Sequence, residues 1–266
     1  MQLRNTSVLI TGASTGIGAA TARAVAARGA TALLVARSAD KLERLAHEID
    51  RAGGKARPFP ADVGDPDAVA AMAELVKAEI GVPSVIVNNA GAGRFLFIDE
   101  TDPHELASMT DVPYHAAFYV TRAFIEEMIA RKSGRIVNIT TPVAYFTWPG
   151  AAGYAGARWA VRGFTEALRA DLYRTGVGVS VVVPAKVSSE YFEHNPGAEQ
   201  RIPKIARLIR TLTPEQTADA VVGAIEKERA EVFVPAELRF LELQNRLFPG
   251  VTRWIVHRTG ARRPGR

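Results

Sequence analysis

Short apolar runs alternate with longer amphipathic stretches along most of the chain. Six of these runs predict β-strands: residues 7–10, 31–36, 56–60, 84–87, 134–140 and 178–183. Extended runs of this length, separated by helical stretches, are typical of parallel strands that are buried on both faces. The pattern predicts an α/β fold with a doubly wound parallel sheet, forming a single domain over residues 1–266. Ligands of such a sheet lie beyond the carboxyl ends of its strands.

Helix-forming stretches occupy the intervals between the predicted strands. Residues 19–28 are rich in helix formers and end at Gly29, a suitable C-cap, and residues 40–51 form a second such stretch. Asp65 is a suitable N-cap for a third helix, because Pro66 then takes the first helical position, where a missing N–H group is tolerated.

A glycine-rich turn follows the first predicted strand directly. It has the spacing Gly-x-x-x-Gly-x-Gly and lies between a strand and a helix N-terminus, where free N–H groups and the helix dipole favour an anion such as a diphosphate. The residues predicted to hold a dinucleotide there are Gly12, Ser14, Thr15, Gly16, Ile17 and Gly18. The alternative is a tight turn without a ligand.

Composition narrows the class of protein. A chain of 266 residues with 47% hydrophobic content can bury a large core. Because it has no cysteine, disulfides and thiolate metal sites are excluded, which fits a cytoplasmic location. The five histidines are dispersed, so we expect no metal site, and we expect neither a signal peptide nor a membrane span. The net charge of +5 is too modest and too scattered to indicate nucleic-acid binding.

Several motifs in a fixed order resemble the short-chain dehydrogenase/reductase family. They are residues 11–18, the run Asn88-Asn89-Ala90-Gly91, residues 134–139, and Tyr154 with Arg158. The resemblance covers roughly residues 5–235 and implies a Rossmann-type domain with NAD(P) across the strand ends. The further cofactor-binding residues that it implies are Asp62, Val63, Asn89, Ala90, Gly91, Tyr154, Arg158, Pro184, Val187 and Ser189. Ala185 departs from the family pattern, since a glycine is usual there.

The position after the second strand indicates which cofactor is bound. Arg37 and Ser38 stand there, and the first acidic residue is Asp40. A guanidinium can clamp a ribose 2′-phosphate, whereas an acidic residue would repel it. We therefore expect NADP(H), the alternative being that Arg37 is simply a solvated residue at a helix entry.

The resemblance also implies a catalytic tyrosine, lysine, serine and asparagine. Tyr154 matches the tyrosine, but Arg158, Thr141 and Pro113 stand at the other three positions. A phenol with a pKa of about 10 needs a neighbouring cation to act near neutrality. Arg158 can supply that charge from one turn away, yet a guanidinium stays protonated and cannot relay protons. Pro113 removes an amide and should kink its helix. His115, two residues after Pro113, is a candidate for a substitute proton carrier, the alternative being a packed histidine whose ring is hydrogen-bonded.

Two functions fit these departures. The first is an NADPH-dependent oxidoreductase that reduces a carbonyl or imine, with Tyr154 donating the proton, Thr141 orienting the oxygen and Arg158 holding the ribose. The second is a repurposed relative that performs non-redox chemistry, such as cyclisation, isomerisation or dehydration, or that only binds the cofactor.

Aromatic residues cluster in the segments that surround the substrate in the family's layout. The predicted pocket residues are Phe95, Tyr145, Phe146, Trp148, Tyr191 and Phe192. They indicate a bulky apolar or aromatic small-molecule substrate, unless they pack as core or as a subunit interface. Residues 188–212 resemble a mobile lid.

The C-terminal segment, residues 236–266, interleaves aromatic and aliphatic side chains with arginines. Such a basic amphipathic stretch can lie on an anionic membrane surface or cap the substrate entrance. The alternative is a docking helix that covers its own subunit or a partner. Analogy with the family suggests a homodimer or homotetramer.

Overall fold

A parallel sheet of seven strands organises the chain, with the strand order β3-β2-β1-β4-β5-β6-β7. The computed structural model describes residues 1–91, 93–189, 191, 195 and 197–263. The strands are β1 Ser7–Thr11, β2 Thr31–Ala36, β3 Lys55–Pro60, β4 Val85–Asn88, β5 Gly134–Ile139, β6 Val177–Pro184 and β7 Glu231–Val234. This is the predicted Rossmann-type doubly wound fold, and the prediction of fold class is confirmed.

Helices cover both faces of the sheet. They are α1 Gly16–Ala27, α2 Ala39–Arg51, α3 Pro66–Glu79, α4 Pro103–Thr110, α5 Ala116–Ala130, α6 Ala152–Asp171, α7 Ala198–Arg201, α8 Pro214–Glu226, α9 Glu237–Leu247 and α10 Pro249–Thr259. Successive residues of a strand point to opposite faces. In β1, Val8 and Ile10 therefore pack with α1, α2 and α8, whereas Leu9 packs with α3, α5 and α6.

All six predicted strands are present, and their ends agree within a residue. Helix α1 begins at Gly16, earlier than residue 19, because the last glycines of the turn already belong to the first helical turn. Asp65 caps α3 as expected, accepting a hydrogen bond from the Asp67 N–H at 2.9 Å. Strand β7 was not predicted; it is an edge strand that begins with Glu231 and is mostly half-buried, so it lacks the fully apolar run of a central strand.

The strand order reverses between β1 and β4, which places a crevice at their carboxyl ends. Strands β1, β4, β5 and β6 are all parallel and hydrogen-bonded in sequence, so Thr11, Asn88, Ile139 and Pro184 end at the same edge. Ligands bind to doubly wound sheets at this point. The sheet topology therefore brings together four segments that are far apart in the sequence.

The helix that carries Pro113 is interrupted, as the sequence predicts. Helices α4 and α5 are joined by a π-helical turn over Asp111–His115, with Pro113 buried inside it. A proline lacks the N–H group that would continue the α-helical hydrogen bonds, and its ring crowds the preceding turn. The wider turn accommodates both effects.

The C-terminal segment forms two helices where the sequence showed one amphipathic stretch. Helix α9 ends at Leu247, and α10 begins at Pro249 after Phe248, whose backbone is non-helical. Across the described part of the chain, no helix combines the length and the apolar character needed to cross a bilayer.

Candidate active site

The glycine-rich turn after β1 has a conformation that requires glycine. Gly12 and Gly16 have φ angles of +64° and +54°, a region that side chains with a Cβ rarely adopt. A Cβ on Gly18 would lie only 2.1 Å from the Gly12 carbonyl oxygen. The turn therefore folds tightly back on the N-terminus of α1, as a diphosphate cradle must.

A set of hydrogen bonds fixes this turn to the end of β4. The Thr11 hydroxyl accepts from the backbone N–H groups of Asn89 and Ala90, each at 3.0 Å. The Asn89 side chain donates to the Thr11 carbonyl at 3.0 Å and to the Gly12 carbonyl at 3.3 Å. Because the side-chain amide of Asn89 donates to two backbone carbonyls, Asn89 shapes the site by fixing the turn.

No side chain of this helix neutralises or caps the N-terminus of α1. Its first turn contains no acidic residue, and the N-cap residue Thr15 makes no capping hydrogen bond through its side chain. The loop after β6 reaches this point, since the Ser189 Cβ lies 3.6 Å from where a Gly16 Cβ would be. Free N–H groups at a helix N-terminus favour negative charge, so these residues fit a dinucleotide diphosphate.

The residues predicted to surround the adenosine end follow β2 and β3. Arg37 and Ser38 are both exposed directly after β2, and no carboxylate pairs with Arg37 among the described residues. Asp62 accepts a hydrogen bond from the Gly64 N–H at 3.0 Å, and Val63 is buried in the core below it. A solvent-facing guanidinium without a partner fits a phosphate group at this place.

One cavity of about 810 Å³ opens at the carboxyl edge of the sheet. Its volume lies within the range of small-molecule sites, roughly 300–1,000 Å³. It is lined both by residues predicted to bind the cofactor and by the three predicted catalytic residues: Ile17, Asn89, Gly91, Pro184, Val187, Ser189, Thr141, Tyr154 and Arg158. The structure thus brings the two predicted sets into one space.

Tyr154 and Arg158 lie on one face of α6 and are nearly buried, with 6% and 7% of their surfaces exposed. The Arg158 Cζ atom lies 5.1 Å from the centroid of the Tyr154 ring. Two glycines make room for them. A Cβ on Gly91 would lie 2.4 Å from the Arg158 Nη2 atom, and one on Gly93 would lie 2.8 Å from the Tyr154 ring.

Arg158 is a buried cation without a carboxylate partner among the described residues. Its Nε atom is buried and has no hydrogen-bond partner within that part of the chain. Its backbone carbonyl accepts a hydrogen bond from the Thr140 hydroxyl at 3.2 Å, which fixes α6 to the end of β5. Because a buried charge is costly when it is unpaired, the arrangement favours a polar or anionic group in the cavity beside Arg158.

Thr141 is oriented by a local hydrogen bond. Its hydroxyl oxygen accepts from the Val143 N–H at 3.1 Å and caps the short 3₁₀ turn Pro142–Ala144. A hydroxyl that accepts one hydrogen bond still has its own proton to donate. Thr141 can therefore present an O–H donor to an oxygen atom in the cavity.

Neither Pro113 nor His115 lines this cavity. The His115 Nδ1 atom lies 2.8 Å from the Asp111 Oδ1 atom, on the partly exposed side of the π-helical turn. The structure therefore does not support His115 as a substitute proton carrier.

Aromatic side chains form the wall around the Tyr154 ring. The Phe95 ring meets Tyr154 edge-on with centroids 4.8 Å apart, and it meets Trp148 in the same way at 5.9 Å. Tyr191 donates from its hydroxyl to the Gly93 carbonyl at 2.7 Å. Burial raises the pKa of the Tyr191 hydroxyl above its usual range, and the neighbouring Tyr154 raises it further. Tyr191 therefore stays neutral and serves as a wall and a hydrogen-bond donor.

One of the predicted pocket residues, Tyr145, is not part of this wall. The Tyr145 hydroxyl donates to Glu231 at 2.6 Å, and its ring packs on Phe233 of β7, so Tyr145 turns away from the cavity. The prediction that Tyr145 lines the pocket was wrong because β7, which supplies both contacts, was not predicted. Phe192 lies outside the described residues. Phe146 lines the cavity as expected, beside Phe95, Trp148 and Tyr191.

The segment predicted to be a lid covers one side of the cavity. Val187 pairs with Leu212 in a short parallel bridge, which closes the base of the segment. Arg201 of α7 forms an ion pair with Glu100, which ties the segment to the 3₁₀ turn Ile98–Glu100. Sequence reasoning missed the apolar residues that line the cavity from this side: Ile202, Pro203, Ala206, Ile209 and Leu238. The first four lie in a segment without a sustained helical or strand period, and Leu238 is a single buried position of α9, so no pattern placed them at the cavity.

Fold and site together define a dinucleotide-binding protein of the Rossmann type. The family model for short chain dehydrogenase matches residues 6–199, about three quarters of the chain, and the chain belongs to this family.

Relatives with curated descriptions are similar over most of this chain. "Probable oxidoreductase EphD" of Mycobacterium tuberculosis is 34% identical over 241 residues, which is 85% of this chain but 40% of that protein. The chain thus spans less than half the length of this relative. "Ketoacyl reductase HetN" of Nostoc sp. is 33% identical over 234 residues, covering 87% of this chain and 79% of that protein.

Solved structures share the fold. A metagenomic short-chain oxidoreductase in complex with NADP has a TM-score of 0.74 and 32% identity, covering 88% of this chain and 98% of that one. A short chain dehydrogenase/reductase from Burkholderia phymatum in complex with NAD has a TM-score of 0.83 at 22% identity, covering 95% and 97% of the two chains.

Proposed function

We propose that this protein is an NADP(H)-dependent oxidoreductase that acts on a carbonyl or imine group of a bulky apolar substrate, with Tyr154 as the proton donor. The observation that carries the proposal is the shared cavity. Tyr154, Thr141 and Arg158 line the same space as Ile17 and Gly91, next to the glycine-rich turn. A proton donor and a cofactor cradle that face one cavity are what a reduction requires.

The residues present fit a phosphorylated dinucleotide. The turn after β1 leaves N–H groups open at the start of α1, and Arg37 is an exposed cation where the 2′-phosphate would lie. NADP is bound in the solved structure of the metagenomic relative. When bound, NADPH would supply the hydride. The residues that would hold it are those of the glycine-rich turn, Arg37, Ser38, Asp62, the run after β4, the loop after β6, and Arg158.

Three side chains divide the remaining chemistry. Tyr154 would donate the proton to the substrate oxygen or nitrogen as negative charge develops there. Thr141, whose oxygen is held by the Val143 N–H, would orient the same atom with its free O–H. Arg158 would place its positive charge beside the phenol, 5.1 Å from the ring centroid, and would hold the ribose of the bound cofactor.

The aromatic wall supports an apolar substrate. The Tyr154 ring contacts Phe95 and Tyr191, and Phe95 in turn meets Trp148 edge-on. Ile202 and Ile209 line the cavity from the predicted lid. Apolar lining with a few converging polar groups is typical of sites that bind hydrophobic small molecules. We propose that residues 188–212 act as the lid over this substrate, and that the protein forms homo-oligomers like its family.

Single-turnover NADPH oxidation tests the proposal. The purified protein is mixed with NADPH and a panel of aromatic and long-chain ketones, aldehydes and imines, and absorbance at the reduced nicotinamide band is followed. We expect oxidation with at least one apolar carbonyl, and a loss of about 100-fold or more in Tyr154→Phe, which retains the ring that packs on Phe95. Tyr173→Phe, an exposed tyrosine at the end of α6, is the matched control and should leave the rate unchanged.

A second function is favoured by one observation. Pro113 offers no amide, and Arg158 fills the space against Gly91, so the chain has no evident proton path from Tyr154 to solvent among the described residues. A protein of this kind could bind NADP(H) and perform non-redox chemistry, such as isomerisation or dehydration. If NADPH binds tightly but is consumed with no member of the panel, this second function replaces the first.

A further inference from the structure

Large apolar side chains are concentrated on the outer surface of the two C-terminal helices. Of the fifteen large hydrophobic residues that are exposed in the described part of the chain, six lie within residues 240–254. They are Phe240, Leu243, Leu247, Phe248, Val251 and Trp254, and we call them the C-terminal apolar surface. Soluble monomers rarely expose contiguous apolar surface of this kind without an interaction partner.

The apolar residues of α9 lie on the side that faces away from the protein. Leu238 and Glu242 are buried, and the Asn245 side chain donates to the Tyr145 carbonyl at 3.0 Å, so this side of the helix docks on the core. Phe240 and Leu247, with 73% and 63% of their surfaces exposed, fall on the opposite side at helical spacing. Helix α9 thus exposes large apolar residues on its outer side, where a helix that only packs on a core exposes polar ones.

Helix α10 continues the same surface. Val256 is buried, whereas Val251 and Trp254 lie three positions apart and are exposed, Trp254 by 61%. The Arg258 guanidinium lies over the Trp254 ring, 5.4 Å from its centroid, and so places a cation beside the apolar residues. An exposed tryptophan with a neighbouring arginine is typical of a helix that lies in a membrane interface.

Charge distinguishes the possible occupants of this surface. Residues 236–263 contain six arginines and two glutamates, a net charge of +4. Arg239 and Arg263 pair with Glu231 and Asp99, which lie outside this segment. Of the two arginines that flank the apolar residues, Arg246 is exposed but pairs with the buried Glu242 at 3.6 Å, whereas Arg253 is exposed and pairs with no carboxylate among the described residues. If a second copy docked here face to face, like charges would oppose each other, whereas an anionic lipid surface would be attracted.

We propose that the C-terminal apolar surface docks on an anionic lipid bilayer, with Phe240, Leu247 and Trp254 inserted among the lipids and the flanking arginines on the headgroups. The surface adjoins the cavity entrance. Helix α10 packs against the 3₁₀ turn Lys204–Leu208, whose Leu208 is 82% exposed. A docked bilayer would therefore lie beside the segment that covers the cavity.

Vesicle binding by the full-length protein tests the proposal. Vesicles of pure phosphatidylcholine are compared with vesicles that contain about 30% phosphatidylglycerol, a fraction that gives a strong negative surface charge. We expect co-sedimentation with the anionic vesicles, weakened by added salt, and little with the neutral ones. In Trp254→Ser and Phe240→Ser, binding should weaken roughly tenfold per side chain. Leu75→Ser removes an equally exposed side chain from α3 and should bind like the wild type.

Two arginine variants test the electrostatic part of the proposed membrane binding. Arg253→Gln should weaken binding about fivefold, because one arginine near an anionic surface contributes about 1 kcal/mol. Arg44→Gln, an exposed arginine of α2, should leave binding unchanged. Brominated lipids quench a tryptophan that is inserted among them. They should therefore reduce the fluorescence of Trp159→Phe, which keeps Trp254, but not that of Trp254→Phe.

Three results would overturn the proposal. They are absence of vesicle binding, equal binding to neutral and anionic vesicles, and a Leu247→Ser variant that changes the sedimentation coefficient while vesicle binding is unchanged. The last result would make the surface an interface between copies of this chain. None of these readouts uses catalytic activity, so the outcome is independent of the proposed oxidoreductase function.

Discussion

The Arg158 guanidinium lies between the Tyr154 ring and the backbone of Gly91. Its Cζ atom is 5.1 Å from the ring centroid, and its Nη2 atom lies 2.4 Å from the point where a Gly91 Cβ would be placed. The position of this one side chain links the phenol to the turn that follows β4. It is therefore the most direct target for experiments on how the site works.

Replacing Gly91 by alanine should displace Arg158. Because the backbone of Gly91 has an ordinary φ, the protein should fold, and the guanidinium should move away from the added methyl group. We expect kcat/KM for the best carbonyl substrate to fall at least tenfold, roughly the effect of misplacing a positioning group. Gly156→Ala is the control, since a Cβ on this helical glycine of α6 meets nothing within 4 Å. Equal activity in both variants would show that the position of Arg158 does not matter.

Replacing Arg158 by lysine or methionine separates charge from proton transfer. Lysine keeps the cation, occupies less space and can exchange protons, so we expect turnover to rise in Arg158→Lys. Methionine keeps much of the volume but loses the charge, and we expect a fall of about 100-fold in kcat. Steady-state kinetics at several pH values measures both. A lysine variant that is slower than the wild type would mean that the guanidinium itself is required.

Replacing Arg37 by aspartate should reverse the cofactor preference. The wild-type guanidinium can form charge-assisted hydrogen bonds to a 2′-phosphate, whereas a carboxylate repels the phosphate and accepts from a 2′-hydroxyl. We expect the Kd for NADPH to rise roughly 10- to 100-fold, while that for NADH falls. Titration of tryptophan fluorescence measures both constants, with Arg44→Asp as the control. A wild-type protein that binds NADH as tightly as NADPH would contradict the assignment.

The ion pair between Glu100 and Arg201 should make stability depend on pH. The Arg201 guanidinium lowers the pKa of the Glu100 carboxyl to about 2, helped by the Phe97 N–H. Because the folded-state pKa lies below the unfolded value, the pair stabilises fully above about pH 4.5. Its contribution is lost as the pH falls from there through about 2. It should be small, since the carboxyl is solvent-exposed.

Urea unfolding of the wild type and of Glu100→Gln at pH 7, 5, 4 and 3 measures this dependence. We expect the two midpoints to differ at pH 7 and 5 and to converge toward pH 3. Glu79→Gln, at an exposed glutamate of α3, should follow the wild type throughout. A difference that persists unchanged at pH 3 would exclude the carboxylate as its source.

The sequence by itself determined the architecture and the outline of the cofactor site. The short apolar runs are long enough to indicate each strand, because a strand that is buried on both faces is apolar at most of its positions. The glycine-rich turn and the cap formed by Asp65 are local, since they depend on residues within a few positions of one another. For the same reason the interruption of the helix at Pro113 could be predicted.

Only the tertiary structure decided which side chains share the cavity. Tyr145 and Phe146 are neighbours in the sequence, yet Phe146 lines the cavity while Tyr145 turns to Glu231 of β7. That partner lies 86 positions away, on an edge strand that is mostly half-buried and lacks a fully apolar run. Gly93 likewise shows its role only through its contact with the Tyr154 ring, because the packing of distant segments has no local signature in the sequence.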